Sequence, residues 1–495
     1  MYRAAPLPPR GLMRPGLLMP VGFATTALVL VLASIAGLSL YLGVMAMMLG
    51  VAVATWRWPV AAAVFYAFFM SINRFVILLV FQYSGSDLAT KGIQLWKDGF
   101  VAVLVLRVLY ELLFTNRPRR LRYVDVLVVA FIVLAAAYLM YPGPLDVDPF
   151  TRVQGFRTDV TFLFAYLIGR GMVIDRRQLR WLVLALVPGG LLTAGVAVWQ
   201  VAAPASANHF FDLLGFQQFS DLQGSLSSTI AVRGRGINGI NLPRASSLQL
   251  GDLALAYYQL FLVTVAAALM FMSRSRWQKV ASGAFLLLML GTLALTGSRS
   301  GLLAAGIALL AMTILARAPM QIVLAGAAGV VIAVLLVVAT KVDITLLPGL
   351  LTLSDPSALG HAAAAVRSLE LIQQQPLGDG LGTAGTIGQR YLGDLSITNE
   401  NWFLQIGSEM GVFAAVLFIA ISVALVAAAV HAYLGVKDLW LRVITLSTAG
   451  SGIGFLVLGN FLHAWENTVL SIFIWLLAGI AIRARSLEAS PDYQR

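Results

Sequence analysis

Residues 254–272 read ALAYYQLFLVTVAAALMFM, and Ser-Arg-Ser-Arg follows at 273–276. An apolar run of this length is long enough to cross a bilayer as one helix, because a spanning helix needs about 20 residues. The basic residues directly after it, with Lys279 nearby, lie in a short connection of the kind that stays in the cytoplasm. The stretch therefore predicts a membrane helix that ends at the cytoplasmic surface.

Outside this stretch the chain has the same apolar character. Its 495 residues are 59% hydrophobic and 11% charged, and its mean hydropathy is +0.86, which is typical of an integral membrane protein and excludes an ordinary soluble domain. We predict an all-α polytopic fold with about 14 (12–14) spans, since fourteen helices of about 20 residues need roughly 280 residues. The spans are predicted near residues 20–37, 39–56, 58–82, 98–114, 123–141, 158–175, 179–202, 247–272, 277–296, 300–315, 319–340, 400–433, 438–461 and 465–482.

The formal net charge of +12 is distributed in a pattern that indicates membrane topology rather than nucleic-acid binding. Basic clusters occupy short connections that are two crossings apart, as the positive-inside rule requires. Both termini are therefore expected in the cytoplasm. The chain has no cysteine, which excludes disulfides and thiolate metal sites, and we predict neither a metal nor a cofactor. The clusters are Arg3, Arg10 and Arg14; Arg117, Arg119, Arg120 and Arg122; Arg176, Arg177 and Arg180; and Arg274, Arg276 and Lys279.

Two polar loops are far longer than the usual connections between neighbouring helices. They cover residues 203–246 and 341–398. Four predicted spans separate them, and an even number of crossings returns the chain to the same face, which alternation from a cytoplasmic N-terminus makes the outer one. The predicted units are an N-terminal transmembrane bundle at 1–202, the first large periplasmic loop at 203–246, helices with a Ser-Arg motif at 247–340, the second large periplasmic loop at 341–398, and C-terminal transmembrane helices at 399–495.

Five arginines on the predicted outer face are candidate anion ligands. Guanidinium groups bind phosphate oxygens in pairs, and a lipid diphosphate is an anion found at a membrane surface. For any one of them taken singly, contact with lipid headgroups or with a nearby carboxylate is the favoured explanation. Their number on a face where positive charge is usually sparse favours a shared site. They are Arg233, Arg235, Arg244, Arg299 and Arg367.

The second loop ends in Asn-Glu-Asn-Trp-Phe-Leu-Gln at 399–405, and a long apolar helix follows. We predict Glu400 in the first turn of that helix, where the helix dipole favours an ionised carboxylate. Such a carboxylate at the edge of the membrane can act as a general base. The alternative is an acidic residue that only stabilises the helix N-terminus. Glu409 is about half a turn out of phase with Glu400 and is not expected to pair with it.

Several other polar residues favour structural interpretations. Arg107 and Glu111 have helical i, i+4 spacing and predict a mutual pair within the membrane. Asp146 and Asp148 have a spacing known from metal sites but are interpreted as a solvated turn. The glycines at 380, 382 and 385 are interpreted as a flexible connector, because no strand precedes them as a dinucleotide loop would require.

Two residues leave alternatives open. His463 is predicted in the last outer turn, where it lines the path of an acceptor or belongs to an interfacial aromatic belt with Trp465. Arg74 has no local partner in sequence and is expected to reach the outer interface or a cavity.

Three short motifs in the C-terminal half resemble one family. They are Thr-Gly-Ser-Arg-Ser-Gly at 296–301, Arg367 followed by Pro-Leu-Gly-Asp-Gly-Leu-Gly at 376–382, and the Asn-Glu-Asn segment at 399–401. Their order, with a large outer loop between the last two, resembles the O-antigen ligase and Wzy-type polysaccharide polymerase superfamily. The resemblance covers roughly residues 230–475, and the N-terminal half matches only in hydropathy.

The resemblance implies transfer of a glycan from undecaprenyl diphosphate to a hydroxyl acceptor at the outer face of the bacterial inner membrane, without a metal. Ligases of this kind carry a His-Asn pair where this chain has Glu400-Asn401, and the difference favours a polymerase. The implied partners are a lipid-linked donor and acceptor, the bilayer and, as a candidate, a chain-length regulator, with no nucleic acid. The implied roles are catalysis for Glu400, diphosphate binding for Arg244, Arg299 and Arg367, with Arg233 and Arg235 beside them, and substrate binding for Asn401 and His463.

Two alternatives to a polymerase stay open. An O-antigen ligase or protein O-oligosaccharyltransferase would transfer a finished glycan. A lipid-linked oligosaccharide flippase would belong to another class, but transporters typically carry internal repeats and polar residues at the bilayer midplane. The sequence instead concentrates its polar residues in the outer loops.

Overall fold

The computed structural model describes residues 40–84, 87–114, 121–222, 235–237, 240–242, 244–317, 356–397 and 399–494. Helices dominate these residues, with one short hairpin between β1 and β2. The elements are α1 (Leu40–Arg57), α2 (Pro59–Phe69), α3 (Asn73–Ser84), α4 (Asp87–Gln94), α5 (Trp96–Phe114), α6 (Tyr123–Tyr138), α7 (Pro149–Gly171), α8 (Arg176–Leu184), α9 (Leu186–Ala202), α10 (Pro204–Leu213), α11 (Phe216–Leu222), β1 (Arg235–Ile237), β2 (Ile240–Leu242), a 3-10 turn (Ser247–Gln249), α12 (Asp252–Met272), α13 (Arg276–Leu295), α14 (Arg299–Ala316), α15 (Pro356–Gln374), α16 (Gly385–Tyr391), a 3-10 turn (Gly393–Leu395), α17 (Trp402–Gly435), α18 (Leu439–Leu458), a 3-10 turn (Ala464–Glu466), α19 (Thr468–Ile482), α20 (Ala484–Glu488) and α21 (Pro491–Gln494).

Membrane-spanning helices confirm the predicted class, a helical polytopic membrane protein. Within the described residues, six helices are long and apolar enough to cross a bilayer. The total of about fourteen stays a prediction, and the predicted spans near 20–37 and 319–340 lie outside the described residues. The six are Arg176–Ala202, Asp252–Met272, Arg276–Leu295, Arg299–Ala316, Trp402–Gly435 and Leu439–Leu458.

The stretch that first indicated the fold forms the central helix, α12. Its side chains from Ala254 to Ala268 are all buried, and α13, α14 and α18 pack around it. A helix that is apolar on every side is stable only when other helices surround it. Helix α12 is therefore the interior helix of the C-terminal half.

Close glycine contacts join α7, from the N-terminal half, to α19 near the C-terminus. A Cβ added to Gly169 would lie 2.1 Å from the Leu476 carbonyl oxygen, and one added to Gly479 would lie 2.1 Å from the Tyr166 carbonyl oxygen. Small residues at such positions let two membrane helices approach at backbone distance. This contact brings the N-terminal helices beside the segments that carry the motifs.

The predicted span at 58–82 is broken in the structure. Helices α2 and α3 meet at a bend of 78°. Backbone carbonyls freed by such a break need new donors inside a membrane, and they have them here: Ser71 Oγ donates to the Phe68 carbonyl at 2.7 Å, and Gln249 Nε2 donates to the carbonyls of Met70 and Ser71 at 3.1 and 3.3 Å. The 3-10 turn that contains Gln249 thus supplies hydrogen-bond donors to the free carbonyls at the break.

The described part of the predicted second outer loop contains regular structure, and its glycine-rich segment docks into a kink of α17. Gly411 within that helix has φ 80° and ψ 172°. The amides of Asp379 and Gly380 donate to the carbonyls of Ser408 and Glu409 at 2.7 and 3.0 Å, and the amide of Val412 donates to Pro376 at 3.1 Å. The segment is a tightly packed loop, so its interpretation as a flexible connector is wrong.

Candidate functional site

Arg244 joins the first outer loop to the Ser-Arg motif. Its Nη1 lies 2.6 Å from Asp252 Oδ2, and its Nη2 donates to the Gly297 carbonyl at 3.4 Å. Ala245 N also donates to the Leu295 carbonyl at 2.9 Å. The carboxylate and the carbonyl fix the direction of the guanidinium group beside the motif.

The Ser-Arg motif forms the start of α14. Gly297 turns the chain with φ 67°, and Ser298 caps the helix by accepting the Gly301 amide at 3.1 Å. Arg299 is the first residue of the helix and is partly exposed. Its backbone amide and positive side chain share one helix N-terminus, a position that attracts anions.

The Asn-Glu-Asn segment differs from the prediction in one respect. Helix α17 begins at Trp402, and Asn401 caps it by accepting the amides of Phe403 and Leu404 at 2.9 and 3.0 Å. Glu400 is exposed and precedes the cap, so its predicted place in the first helical turn is wrong. Asn401 is preferred at the cap because its side-chain oxygen satisfies amides that have no partner within the helix.

The Asn401 side chain also donates from Nδ2 to the Asn460 carbonyl at 3.0 Å. Asn401 therefore ties the start of α17 to the turn after α18 and has a structural role that its predicted substrate contact did not include. Glu400 is held at the surface of this junction.

Tyr257 of α12 brings several of these groups into one neighbourhood. Its buried side chain is within electrostatic range of Asp252, Glu400, Glu466 and Arg74. Asp252 is the partner of Arg244, so the carboxylate that binds Arg244 and the Glu400 carboxylate both act on one tyrosine. The convergence includes an arginine from the N-terminal half that the family motifs do not contain.

His463 belongs to a hydrogen-bonded network rather than to an isolated aromatic turn. Its Nδ1 contacts Gln405 Oε1, and Gln405 Nε2 donates to Glu466 Oε1 at 2.9 Å. The Thr386 amide donates to the same oxygen at 3.0 Å. Gly385 is required here, because a Cβ at this residue would lie 2.0 Å from Glu466 Oε1. The network connects the second outer loop to the last outer turn.

Of the five predicted arginines, Arg367 is described away from this neighbourhood, and the side chains of Arg233 and Arg235 are not described. Arg367 is exposed on α15, and no contact to the other candidate residues is seen in the described part of the chain. Arg233 lies outside the described residues. Arg235 belongs to β1, but its side chain also lies outside what the structure describes.

Sequence reasoning missed a buried carboxyl pair beside this region. The carboxyl groups of Asp159 of α7 and Glu409 of α17 are buried within electrostatic range of each other, and Glu409 Oε1 accepts the Ala384 amide at 3.0 Å. Glu409 was compared only with Glu400, whereas its partner lies in the other half of the chain.

Two structural interpretations of acidic residues agree with the structure. Arg107 Nε lies 3.2 Å from Glu111 Oε1, which confirms the predicted pair. Asp148 caps α7, and hydrogen bonds from Thr151 and Phe150 hold the pKa of its carboxyl below the usual value. Within the described residues, no three His, Asp or Glu side chains are grouped as metal ligands.

Comparison with protein families gives one result for this chain. Residues 283–419 match the sequence model of the family described as O-antigen ligase. This match supports membership of the O-antigen ligase and Wzy superfamily. The O-antigen ligase match contains Arg299, Arg367, Glu400 and Asn401, and it leaves out Arg244 and the N-terminal helices. No curated protein matches the chain.

The family and the spanning helices together indicate a protein of the bacterial inner membrane. Members of the O-antigen ligase family are glycosyltransferase-like enzymes, which gives the class of activity. The arrangement of Arg244, Arg299 and Glu400 has to be interpreted within that class.

Proposed function

We propose that this protein is a polysaccharide polymerase that acts at the outer face of the inner membrane. It transfers a growing glycan from undecaprenyl diphosphate to a hydroxyl of an incoming lipid-linked repeat unit. The observation that carries the proposal is the contact of Arg244 with both Asp252 and Gly297, which puts a fixed guanidinium next to the Ser-Arg motif of the matched domain. Two cations at this place suit the diphosphate of a lipid carrier.

The arginines stabilise the leaving group. As the bond between the anomeric carbon and the diphosphate breaks, negative charge develops on the phosphate oxygens. Arg244 and Arg299 neutralise that charge, and because Arg244 is already held by Asp252, little reorganisation is needed at the moment of reaction. Guanidinium groups supply the charge that a divalent ion supplies in other phosphate chemistry, so the reaction is proposed to be metal-independent.

Glu400 is the proposed general base. It removes the proton from the acceptor hydroxyl while that oxygen attacks the anomeric carbon, and the pair of electrons in the broken bond leaves with the diphosphate. One displacement inverts the anomeric configuration. The exposure of Glu400 next to the Asn401 cap leaves the carboxylate accessible to an acceptor that arrives from the outer side.

The variant Glu400→Gln tests this role. It keeps the shape of the side chain and removes the base, so polymer formation should fall by about 10² to 10⁴ while the amount of inserted protein stays normal. The matched control is Glu370→Gln, which neutralises another exposed glutamate in the second outer loop and should leave the rate unchanged. Normal polymer length from the Glu400→Gln protein would remove Glu400 from the mechanism.

Deletion of the gene separates this function from its rivals. Loss of a polymerase leaves single repeat units on the acceptor, loss of a ligase or O-oligosaccharyltransferase leaves long unattached chains, and loss of a flippase stops export. The glutamate at 400, in place of the histidine that the resemblance associates with ligases, supports the first result. Unattached full-length polymer in the deletion strain would overturn the polymerase assignment.

A further inference from the structure

Two cations of the N-terminal helices lie within electrostatic range of each other, and one of them, Arg74, also reaches the neighbourhood of Tyr257 described above. Asn73 Oδ1 accepts a hydrogen bond from Trp96 Nε1 at 2.6 Å. Arg74 directly follows Asn73 at the start of α3, and Lys97 directly follows Trp96 at the start of α5. The hydrogen bond joins the starts of α3 and α5 beside the break between α2 and α3, and the two cations that follow it are within electrostatic range of each other.

The local carboxylate does not balance these cations. Asp98 is bound by Arg157 at 3.0 Å, and Lys97 Nζ lies 3.8 Å from its other oxygen. Lys97 is buried and is within electrostatic range of both Arg74 and Arg157. Among the described residues Arg74 has no hydrogen-bond or ion-pair partner. Lys97 and Arg157 thus share one carboxylate, and among the described residues Arg74 is paired with none.

The Arg74 side chain lies close to the Arg244 site. A Cβ added to Gly251 would lie 3.6 Å from Arg74 Nη1, and the next residue is Asp252, the partner of Arg244. Arg74 is nevertheless accessible at the surface of the described residues. Uncompensated cations within membrane helices are costly, and they are kept where they meet a ligand or a pathway.

We propose that Arg74 and Lys97 form a second anion-binding subsite, contiguous with Arg244, that receives the diphosphate of the acceptor lipid. The inference rests on the proposed polymerase function, in which both substrates carry a lipid diphosphate and both must be held on the same face. Arg244 and Arg299 bind the diphosphate that leaves. Arg74 and Lys97 bind the diphosphate that stays on the acceptor, so the N-terminal helices select the lipid-linked acceptor.

The test compares two acceptors with the purified full-length protein and one lipid-linked donor. One acceptor is the repeat unit on undecaprenyl diphosphate, and the other is the same repeat unit without lipid or phosphate. Arg74→Gln should raise KM for the diphosphate acceptor by about 10-fold to 100-fold, since a hydrogen bond to a charged group contributes about 1.5–3 kcal/mol. The kcat, and the rate with the phosphate-free acceptor, should not change. Arg74→Lys should recover part of the lost affinity.

Controls make the failures distinguishable. Arg57→Gln removes an exposed positive charge from the same half of the chain and should leave both acceptors unaffected, and Lys97→Gln replaces Arg74→Gln if the latter fails to fold. Equal loss with both acceptors, or no change with either, would overturn the subsite while the polymerase stands. A wild-type protein that elongates neither repeat-unit acceptor, or that transfers the glycan only to lipid A core, would overturn the polymerase itself.

Discussion

The Asp252 carboxylate fixes the orientation of the Arg244 guanidinium group. A carboxylate 2.6 Å away takes one donor of the guanidinium and fixes the plane of the others, which is what recognition of paired phosphate oxygens needs. Arg299 is positioned differently, by the helix N-terminus that it begins. The two arginines of the proposed donor site therefore depend on separate local structures, and each is expected to fail independently when its support is removed.

The ionised carboxylate of the buried Asp379 destabilises the folded protein at neutral pH. Burial raises the pKa of its carboxyl above the usual value, so folding favours the protonated form, and the ionised form at neutral pH costs free energy. The contribution of the protonated Asp379 carboxyl to the free energy of unfolding is therefore largest below the unfolded pKa of about 3.9. It is lost as pH rises through the pKa of the folded protein. Asp379→Asn should therefore unfold at the same or a higher temperature than wild type at pH 7, and the difference should vanish near pH 4.

Asp148 provides the matched control for that measurement. Hydrogen bonds from Thr151 and Phe150 lower the pKa of its carboxyl, so its stabilising effect is present above the unfolded pKa and is lost as pH falls through the folded value. Asp148→Ala should lower the unfolding temperature at pH 7. If Asp379→Asn also lowers it, the Asp379 carboxylate has a stabilising partner and the account of its burial is wrong.

Sequence reasoning found the residues of the site whose neighbours are close along the chain, and missed those whose neighbours are not. The Ser-Arg motif is a local feature that the pattern indicated. The proximity of the buried carboxyl groups of Asp159 and Glu409 relates two halves of the chain, and no spacing in one sequence predicts it. Glu400 was placed within the helix because the pattern does not reveal that Asn401, the next residue, is the cap.

At the level of elements, the kink of α17 positions the second outer loop. Gly411 has a backbone conformation that is open almost only to glycine, and a Cβ there would lie 2.4 Å from the Pro376 carbonyl oxygen. Gly411→Ala should destabilise the protein by about 1–3 kcal/mol and should reduce polymer formation because the docked loop moves. Thermal unfolding in detergent and polymer length check the two effects.

Gly306 is the comparison for Gly411, because it lies within α14 with open space around its Cβ position. Gly306→Ala should leave activity unchanged and stabilise the protein by about 0.4–1 kcal/mol. Equal behaviour of the two variants would mean that the kink has no part in holding the loop.

The bend between α2 and α3 is a feature that hydropathy alone does not predict. The apolar run at 58–82 predicts one helix, although the polar residues Ser71, Asn73 and Arg74 lie at the bend. The break is stabilised from outside the run, by the Gln249 side chain and its bonds to Met70 and Ser71. Gly251, which follows the same turn, lies beside Arg74. The break between α2 and α3, where the hydropathy pattern predicts one continuous helix, is therefore part of the proposed acceptor subsite.

At the level of the whole molecule, the distribution of arginines predicts which surface faces out. Because the chain has no cysteine, single cysteines report topology without a background. Tyr391 is 41% exposed in the second outer loop and Trp277 is 83% exposed in a predicted cytoplasmic connection. An impermeant maleimide should label Tyr391→Cys in intact spheroplasts and label Trp277→Cys only after permeabilisation. The reverse pattern would place the proposed site in the cytoplasm.

The account depends on one lipid diphosphate meeting Arg244 and Arg299 beside Glu400. The most direct measurement is a cryo-EM structure of the Glu400→Gln protein in nanodiscs with the undecaprenyl-diphosphate-linked donor, which the variant binds but does not consume. We expect density for the two phosphates against the guanidinium groups of Arg244 and Arg299, on the same face as residue 400. Phosphate density at any other place, with both arginines in contact with protein alone, would contradict the account.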